Sequence, residues 1–252
     1  MDGMKRILSY VRRAVDDYKM INDGDKIAVG VSAGKDSLTL LLALAELRRF
    51  YPNKFELVAI TVDMGFEGAD FSGIKALCDS LNVEYHVVPT QISKIIFDVR
   101  KEKNPCSLCA KMRRGALYNY ARELGCRSVA LGHHFDDVVE TFMLNLFYEG
   151  RIGCFQPVTY LSNTGITLIR PMIYMPEKDV RYFSTKNTLP VVKSSCPADG
   201  NTEREEMKNL LHDLERKNKG LRYRIFGAIQ RGEVDGFKEI GRMQGMKEYT
   251  DD

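Results

Sequence analysis

A chain of 252 residues is long enough for one large α/β domain, or one such domain with a small appendage, and 44% apolar with 28% charged residues is the make-up of a globular protein. Its net charge of +3 does not by itself announce a nucleic-acid binder. No apolar run reaches the roughly 18 residues of a membrane span, and charges continue after Met4-Lys5-Arg6 at Arg12 and Arg13, where a secretory leader would turn apolar. A cytoplasmic protein without a membrane segment is therefore expected, in a compartment that disfavours structural disulfides.

The elements follow in chain order. Over 4–20, Ile7, Val11, Ala14 and Tyr18 form one stripe of an amphipathic helix. The turn Asn22-Asp23-Gly24-Asp25 ends it. Residues 26–31 are a short β-branched run that reads as a buried strand, followed by a small-residue loop over 32–37 and a strong helix over 38–50. Strands are predicted over 56–62, 84–88 and 128–131, with helices over 74–81, 107–124 and 136–148. Further on the pattern loosens: a strand over 167–174, a helix over 177–186 behind Pro176, and a loop over 191–201 carrying Ser194-Ser195-Cys196-Pro197. A charged helix is predicted over 202–230, opened by Thr202 and Glu205 at capping-box spacing. The expectation is one domain over 1–232 with a polar tail over 233–252. Strands alternating with helices at this spacing imply an α/β fold. Five parallel strands carry helices on both faces, and a helical C-terminal extension follows. Ligands in such sheets bind beyond the carboxyl ends of the strands, where the loops after Val31 and Leu131 lie.

The segment Val31-Ser32-Ala33-Gly34-Lys35-Asp36-Ser37-Leu38 joins a strand to a helix. Small residues let the backbone close round an anion, and exposed N–H groups with the helix N-terminus favour phosphate oxygens. Ser32 and Ser37 offer hydroxyls, and Lys35 offers a point charge. A carboxylate at Asp36 repels phosphate unless a divalent cation, Mg²⁺, sits between them. The order differs from G-x-x-x-x-G-K-[ST], because Asp36 separates Lys35 from Ser37.

A second strand-to-helix join reads Leu131-Gly132-His133-His134-Phe135-Asp136-Asp137-Val138-Val139-Glu140-Thr141. Asp136 lies near the helix N-terminus, where a carboxylate is favoured, and can hold Mg²⁺ or position a nucleophile. Glu140 is one turn on and can face the same site. Of the six cysteines, only Cys106 and Cys109 have metal-ligand spacing. They open a long helix, an arrangement that lowers thiol pKa values and lets both sulfurs face one side. A lone C-x-x-C is compatible with a redox pair, half a zinc site or part of an iron–sulfur cluster. Cys126 and Cys154 have apolar neighbours, which leaves Cys196 as the best third ligand.

Ser32-Ala33-Gly34-Lys35-Asp36-Ser37 resembles the S-G-G-x-D-S pyrophosphate loop of the N-type ATP pyrophosphatases, the PP-loop superfamily. Ala33 replaces the usual Gly, which a negative φ would accommodate. Gly132-His133-His134 with Asp136, Asp137, Glu140 and Thr141 resembles the second signature of the tRNA-modifying members. The likeness sharpens toward the tRNA 2-thiocytidine synthetases through Pro105-Cys106-Ser107-Leu108-Cys109, Arg113-Arg114-Gly115, Arg170-Pro171 and Cys196.

That resemblance implies a Rossmann-like, adenine nucleotide α-hydrolase-like fold. It implies ATP and Mg²⁺ at 32–37, with Asp36 and Asp136 toward the metal and Lys35 toward the phosphates. Adenosine would lie near Val62 and Asp63. Further nucleotide contacts would come from Gly132, His133 and Asp137, and Arg170 would clamp phosphate. Cys106, Cys109 and Cys196 would hold a [4Fe-4S] cluster with one open iron. The implied reaction adenylates a pyrimidine carbonyl of tRNA, cytidine C2 at position 32, and replaces the oxygen by sulfur. Implied partners are tRNA and a sulfur donor such as a cysteine desulfurase; a homodimer is allowed. Lys111, Arg113 and Arg114 would meet the tRNA backbone. The same ATP chemistry with a nitrogen nucleophile, a small non-tRNA substrate, or a nucleotide sensor without turnover are the alternatives.

Overall fold

The computed structural model describes residues 3–100, 105–192, 196 and 203–238. In chain order the elements are α1 (Met4–Asp17), β1 (Asp25–Gly30), α2 (Lys35–Leu47), β2 (Phe55–Asp63), α3 (Ser72–Ser80) and β3 (Glu84–Pro89). Then come α4 (Ile92–Lys94), which runs on as a π-turn over Ile95–Val99, α5 (Pro105–Glu123), β4 (Ser128–Ala130) and α6 (Phe135–Tyr148). The last are β5 (Val158–Leu161), β6 (Ile166–Ile169), α7 (Glu177–Lys186), α8 (Glu203–Lys217) and α9 (Leu221–Arg231). They divide into two compact units, Met1–His134 with Val158–Asp199, and Phe135–Pro157 with Gly200–Asp252.

The first unit is built on a sheet of order β3-β2-β1-β4-β6-β5. All neighbours are parallel except β5 and β6, which pair antiparallel from Val158↔Ile169 to Leu161↔Ile166. The sheet thus has six strands where five were expected. β5 escaped the sequence reading because it has four residues, none fully buried, and shows no apolar alternation. The strand expected over 167–174 stops at Ile169. Pro171 has no N–H to extend a ladder, and the chain turns there.

On one face of the sheet, Ala28, Val58, Ile60, Val129 and Leu168 pack in one cluster with Leu117, Tyr118 and Ala121 of α5. In α2, ten of thirteen residues are buried, so this helix is interior rather than amphipathic. Each of its fully buried leucines contributes about 1.5–3 kcal/mol of transfer free energy. Such a helix places its N-terminus firmly, and that N-terminus is where the small-residue loop ends. The exit of β1 is fixed as well. The Val31 N–H donates to Ile60 O at 2.8 Å, and Thr61 Oγ1 donates to Val31 O at 2.9 Å.

In the second unit, Phe135 of α6 meets Tyr223 and Phe226 of α9 at ring distances of 4.8 and 4.9 Å, and Phe226 meets Phe237 at 5.7 Å. The helix expected over 202–230 is two helices, α8 and α9. Gly220 breaks it at φ 83°, and both Glu215 carboxylate oxygens accept the N–H groups of Gly220 and Arg222. Thr202 of the expected capping box lies outside the described residues, as do Ser194, Ser195 and Pro197. Among the described residues, no helix is long and apolar enough to cross a membrane.

Candidate phosphate loop and thiol segment

The loop over 32–37 is closed by its own side chains. The Ser32 N–H donates to Ser37 Oγ at 3.1 Å, Ser32 Oγ stands 3.3 Å from the same oxygen, and Ser37 Oγ donates to Gly34 O at 3.0 Å. Ala33 sits at φ 64°, not in the negative region expected of it. A non-glycine residue there costs about 1–2 kcal/mol. The neighbouring backbone holds it in place, since the Val192 N–H donates to Ala33 O at 3.1 Å.

The charges of the loop are concentrated at two residues. Lys35 Nζ lies 3.0 Å from Asp36 Oδ1 and 3.2 Å from Glu177 Oε1 at the start of α7. Burial works against the ammonium, but Asp36 and then Glu177 outweigh it and hold the Lys35 pKa above the ordinary lysine value. His134 is buried, with Nε2 3.7 Å from Asp36 Oδ1. That Asp36 oxygen is shielded from solvent yet accepts no well-aligned hydrogen bond. A shielded carboxylate oxygen of this kind suits a hard divalent cation such as Mg²⁺. Gly132, following β4, runs against the start of α2. A Cβ on it would stand 3.1 Å from the Asp36 carbonyl carbon and from the Ser37 nitrogen. Only glycine lets the two strand-exit loops lie this close.

The other predicted positions of the first unit occupy distinct settings. Val62 and Asp63 end β2; Asp63 O accepts from the Thr90 N–H at 3.0 Å and from Thr90 Oγ1 at 2.7 Å, and its Oδ1 accepts the Gly65 N–H at 2.9 Å. Gly65, at φ 79°, lies so near Thr90 O that a Cβ would stand 2.6 Å from it. Arg170 follows β6 but is buried, with Nη1 donating to Thr159 Oγ1 at 3.1 Å.

Cys106 and Cys109 lie in the first turns of α5, Cys106 exposed and Cys109 half-buried; Cys196 is also half-buried, and none of the three is in a disulfide. The lowered pKa expected of both thiols does not hold for Cys109. Burial pushes its thiol up, Arg113 opposes this, and the nearby Cys196 and Cys106 push it further. Cys106 and Cys196 are thus both near enough to Cys109 for their charges to act on its thiol. Among the described residues, no three His, Cys, Asp or Glu side chains form a ready-made metal site. The donor chemistry fits an iron–sulfur cluster all the same: three cysteines outside any disulfide, two of them one turn apart on one helix. Lys111, Arg113 and Arg114 are exposed on the same helix.

In the second unit, Asp136 and Glu140 face one guanidinium. Arg222 Nη1 stands 3.0 Å from Asp136 Oδ1 and 3.4 Å from Glu140 Oε1. Arg204 lies 3.5 Å from Asp137 and 3.7 Å from Glu140. Burial, with Asp137 beside it, raises the Glu140 pKa, while Arg222, Arg204 and Lys208 pull it down. Glu177, Arg204 and Arg222 were not among the predicted site residues. Each reaches its partner across long sequence separation, and nothing in the local pattern signals that. His134 was legible in the motif as the neighbour of His133.

A family model described as a PP-loop domain matches residues 8–215. The tRNA-cytidine(32) 2-sulfurtransferase of Geobacter sulfurreducens is 42% identical over 228 residues, covering 89% of each chain. The protein of that name from Teredinibacter turnerae is 39% identical over 90% of this chain and 76% of its own length. Among solved structures, the U34-tRNA thiolase NcsA of Methanococcus maripaludis with its [4Fe-4S] cluster superposes at TM-score 0.75 and 28% identity. That match covers 91% of this chain and 78% of the thiolase.

Proposed function

The chain belongs to the PP-loop family, and from that membership we propose that it is an ATP-dependent tRNA sulfurtransferase that thiolates cytidine at C2, at position 32, in the cytoplasm. The observation that carries the reading is the closed, anion-ready loop over 32–37, with a lysine–aspartate pair at the mouth of a buried helix. The same compact unit carries Cys106, Cys109 and Cys196, none of them in a disulfide.

The loop's residues give each part of the first half-reaction. Backbone N–H groups at the start of α2 and the Ser32 hydroxyl donate hydrogen bonds to ATP's phosphate oxygens. Asp36 is the proposed Mg²⁺ ligand, and Lys35 stabilises the charge that builds as the cytidine carbonyl oxygen attacks the α-phosphorus and pyrophosphate leaves. Val62 and Asp63, with the fixed loop through Gly65, border the place for adenosine. Gly132 admits the second loop close to the first, with His133 as a proposed nucleotide contact. Arg170, buried after β6, is the proposed phosphate-side cation, and Asp136 and Asp137 the proposed acids of the second signature. In the second half-reaction a sulfide takes the place of the AMP oxygen at C2, and AMP leaves with the former carbonyl oxygen. Cys106, Cys109 and Cys196 would hold a [4Fe-4S] cluster, which when bound supplies an iron site for sulfide. Lys111, Arg113 and Arg114 would steer the tRNA backbone to it. A cysteine desulfurase is the proposed source of the sulfur, and a homodimer the proposed assembly.

Mass spectrometry of tRNA nucleosides from a strain lacking the gene tests this. Loss of 2-thiocytidine, restored by the wild-type gene, is the expected result. An unchanged nucleoside profile overturns it.

A further inference from the structure

We infer that Glu177, the first residue of α7, is a positioning residue for the phosphate loop, holding the Lys35 ammonium at the angle from which it meets the nucleotide. This rests on reading the loop over 32–37 as the nucleotide site. An ammonium has three N–H donors. In the Lys35 side chain, the contacts to Asp36, at 3.0 and 3.1 Å, and to Glu177, at 3.2 Å, account for two directions. The third is left for a ligand oxygen. With Asp36 alone, the flexible four-carbon stem of lysine could swing about a single anchor. Two carboxylates on separate elements define the position of Nζ.

The placement of Glu177 supports a role through Lys35 rather than a merely local one. Its side chain is 12% exposed, whereas that of Arg181, another ion-pair partner at 3.2 Å, is 66% exposed. The helix-local pair is thus of the weak, solvated kind. The Lys35 pair is the shielded one. Pro176 fixes the backbone just before Glu177, at φ −63° and ψ 141°, and so sets where the carboxylate begins. In α7 the neighbouring Asp179 is already engaged by Arg6 at 3.0 Å and by the Tyr10 hydroxyl at 3.2 Å, which anchors the helix to α1. The carboxylate of Glu177 is therefore presented from a fixed helix.

The test measures affinity of the full-length protein for α,β-methylene-ATP with Mg²⁺ by calorimetry, together with KM values for ATP and tRNA. Glu177→Gln is expected to weaken analogue binding about tenfold, the scale of losing one partner of a shielded charge pair. It should raise KM for ATP while leaving KM for tRNA within twofold of wild type. Arg181→Ala is expected to leave both unchanged. The decisive arm is the cycle with Lys35→Met: in that background Glu177→Gln should add no further loss. Additive losses, or equal affinity of Glu177→Gln and wild type, overturn the inference. Should Glu177→Gln fold poorly, Glu177→Asp carries the same arms with a smaller loss. If wild type itself does not bind the analogue, the reading of the loop fails, which is a different outcome.

Discussion

In the phosphate loop, Ser32, Gly34, Ser37, Lys35 and Asp36 already hold one another by hydrogen bonds and ion pairs within a few residues of sequence. In the thiol segment of the same compact unit, Cys106, Cys109 and Cys196 are outside any disulfide, and the charges of Cys106 and Cys196 act on Cys109. The contrast follows from the ligands. Phosphate oxygens are recognised by N–H groups and hydroxyls, which folding alone can aim. Soft thiolate donors repel one another and reach a common geometry only when a metal binds them. On the proposed reading, the first site is shaped by the fold, and the second would be completed by its cofactor.

Breaking the second region should have the largest effect and the most selective one. Cys106→Ser is expected to remove the iron and lower tRNA thiolation about 100-fold or more. ATP-analogue affinity should stay within twofold of wild type, read by iron analysis, nucleoside mass spectrometry and calorimetry. Retained iron and retained thiolation would dissolve the contrast, and a nitrogen nucleophile would then be the better account. Breaking the first region at its charge comes next. Lys35→Met is expected to slow tRNA-dependent pyrophosphate release about 100-fold, the scale of losing one charge-stabilising group, with iron content unchanged. Ser37→Ala removes the hydroxyl that ties Ser32 to Gly34. A loss of about tenfold in nucleotide affinity is expected, the scale of one or two hydrogen bonds, and no loss at all would mean the loop holds its shape without them. The smallest effect runs the other way. Ala33→Gly relieves the left-handed backbone and should stabilise the protein by about 1 kcal/mol, seen as a rise of Tm by a few degrees. A fall in Tm would show that the alanine methyl contributes more than its backbone strain costs.

Much of the first unit was written locally. The run at 26–31 is apolar enough to be a strand on any register, and Gly34 through Ser37 can hardly be anything but a turn into a helix. The Cys106–Cys109 spacing is equally plain. What the sequence could not show depends on distance along the chain. Glu177 reads as the start of an ordinary helix, and only folding brings it to Lys35. Arg170 reads as a phosphate clamp, and nothing local shows that the sheet buries it against Thr159 of β5, a strand too short to announce itself. The thiol pKa went astray for a related reason. A helix start favours thiolate, but the burial of Cys109 and its two sulfur neighbours weigh more. Ala33 erred through conformation: alanine suggests negative φ, but the closed loop imposes the glycine-like value.

The antiparallel β5 covers one margin of the sheet, and β3 forms the opposite one. An outermost strand offers its unpaired main chain to any passing extended segment, the usual starting point of intermolecular aggregation. Here that strand opens on the charged, exposed Glu84 and closes on Pro89, which has no amide hydrogen to offer. The protein therefore carries its own guard against self-templated stacking at the β3 margin of its sheet.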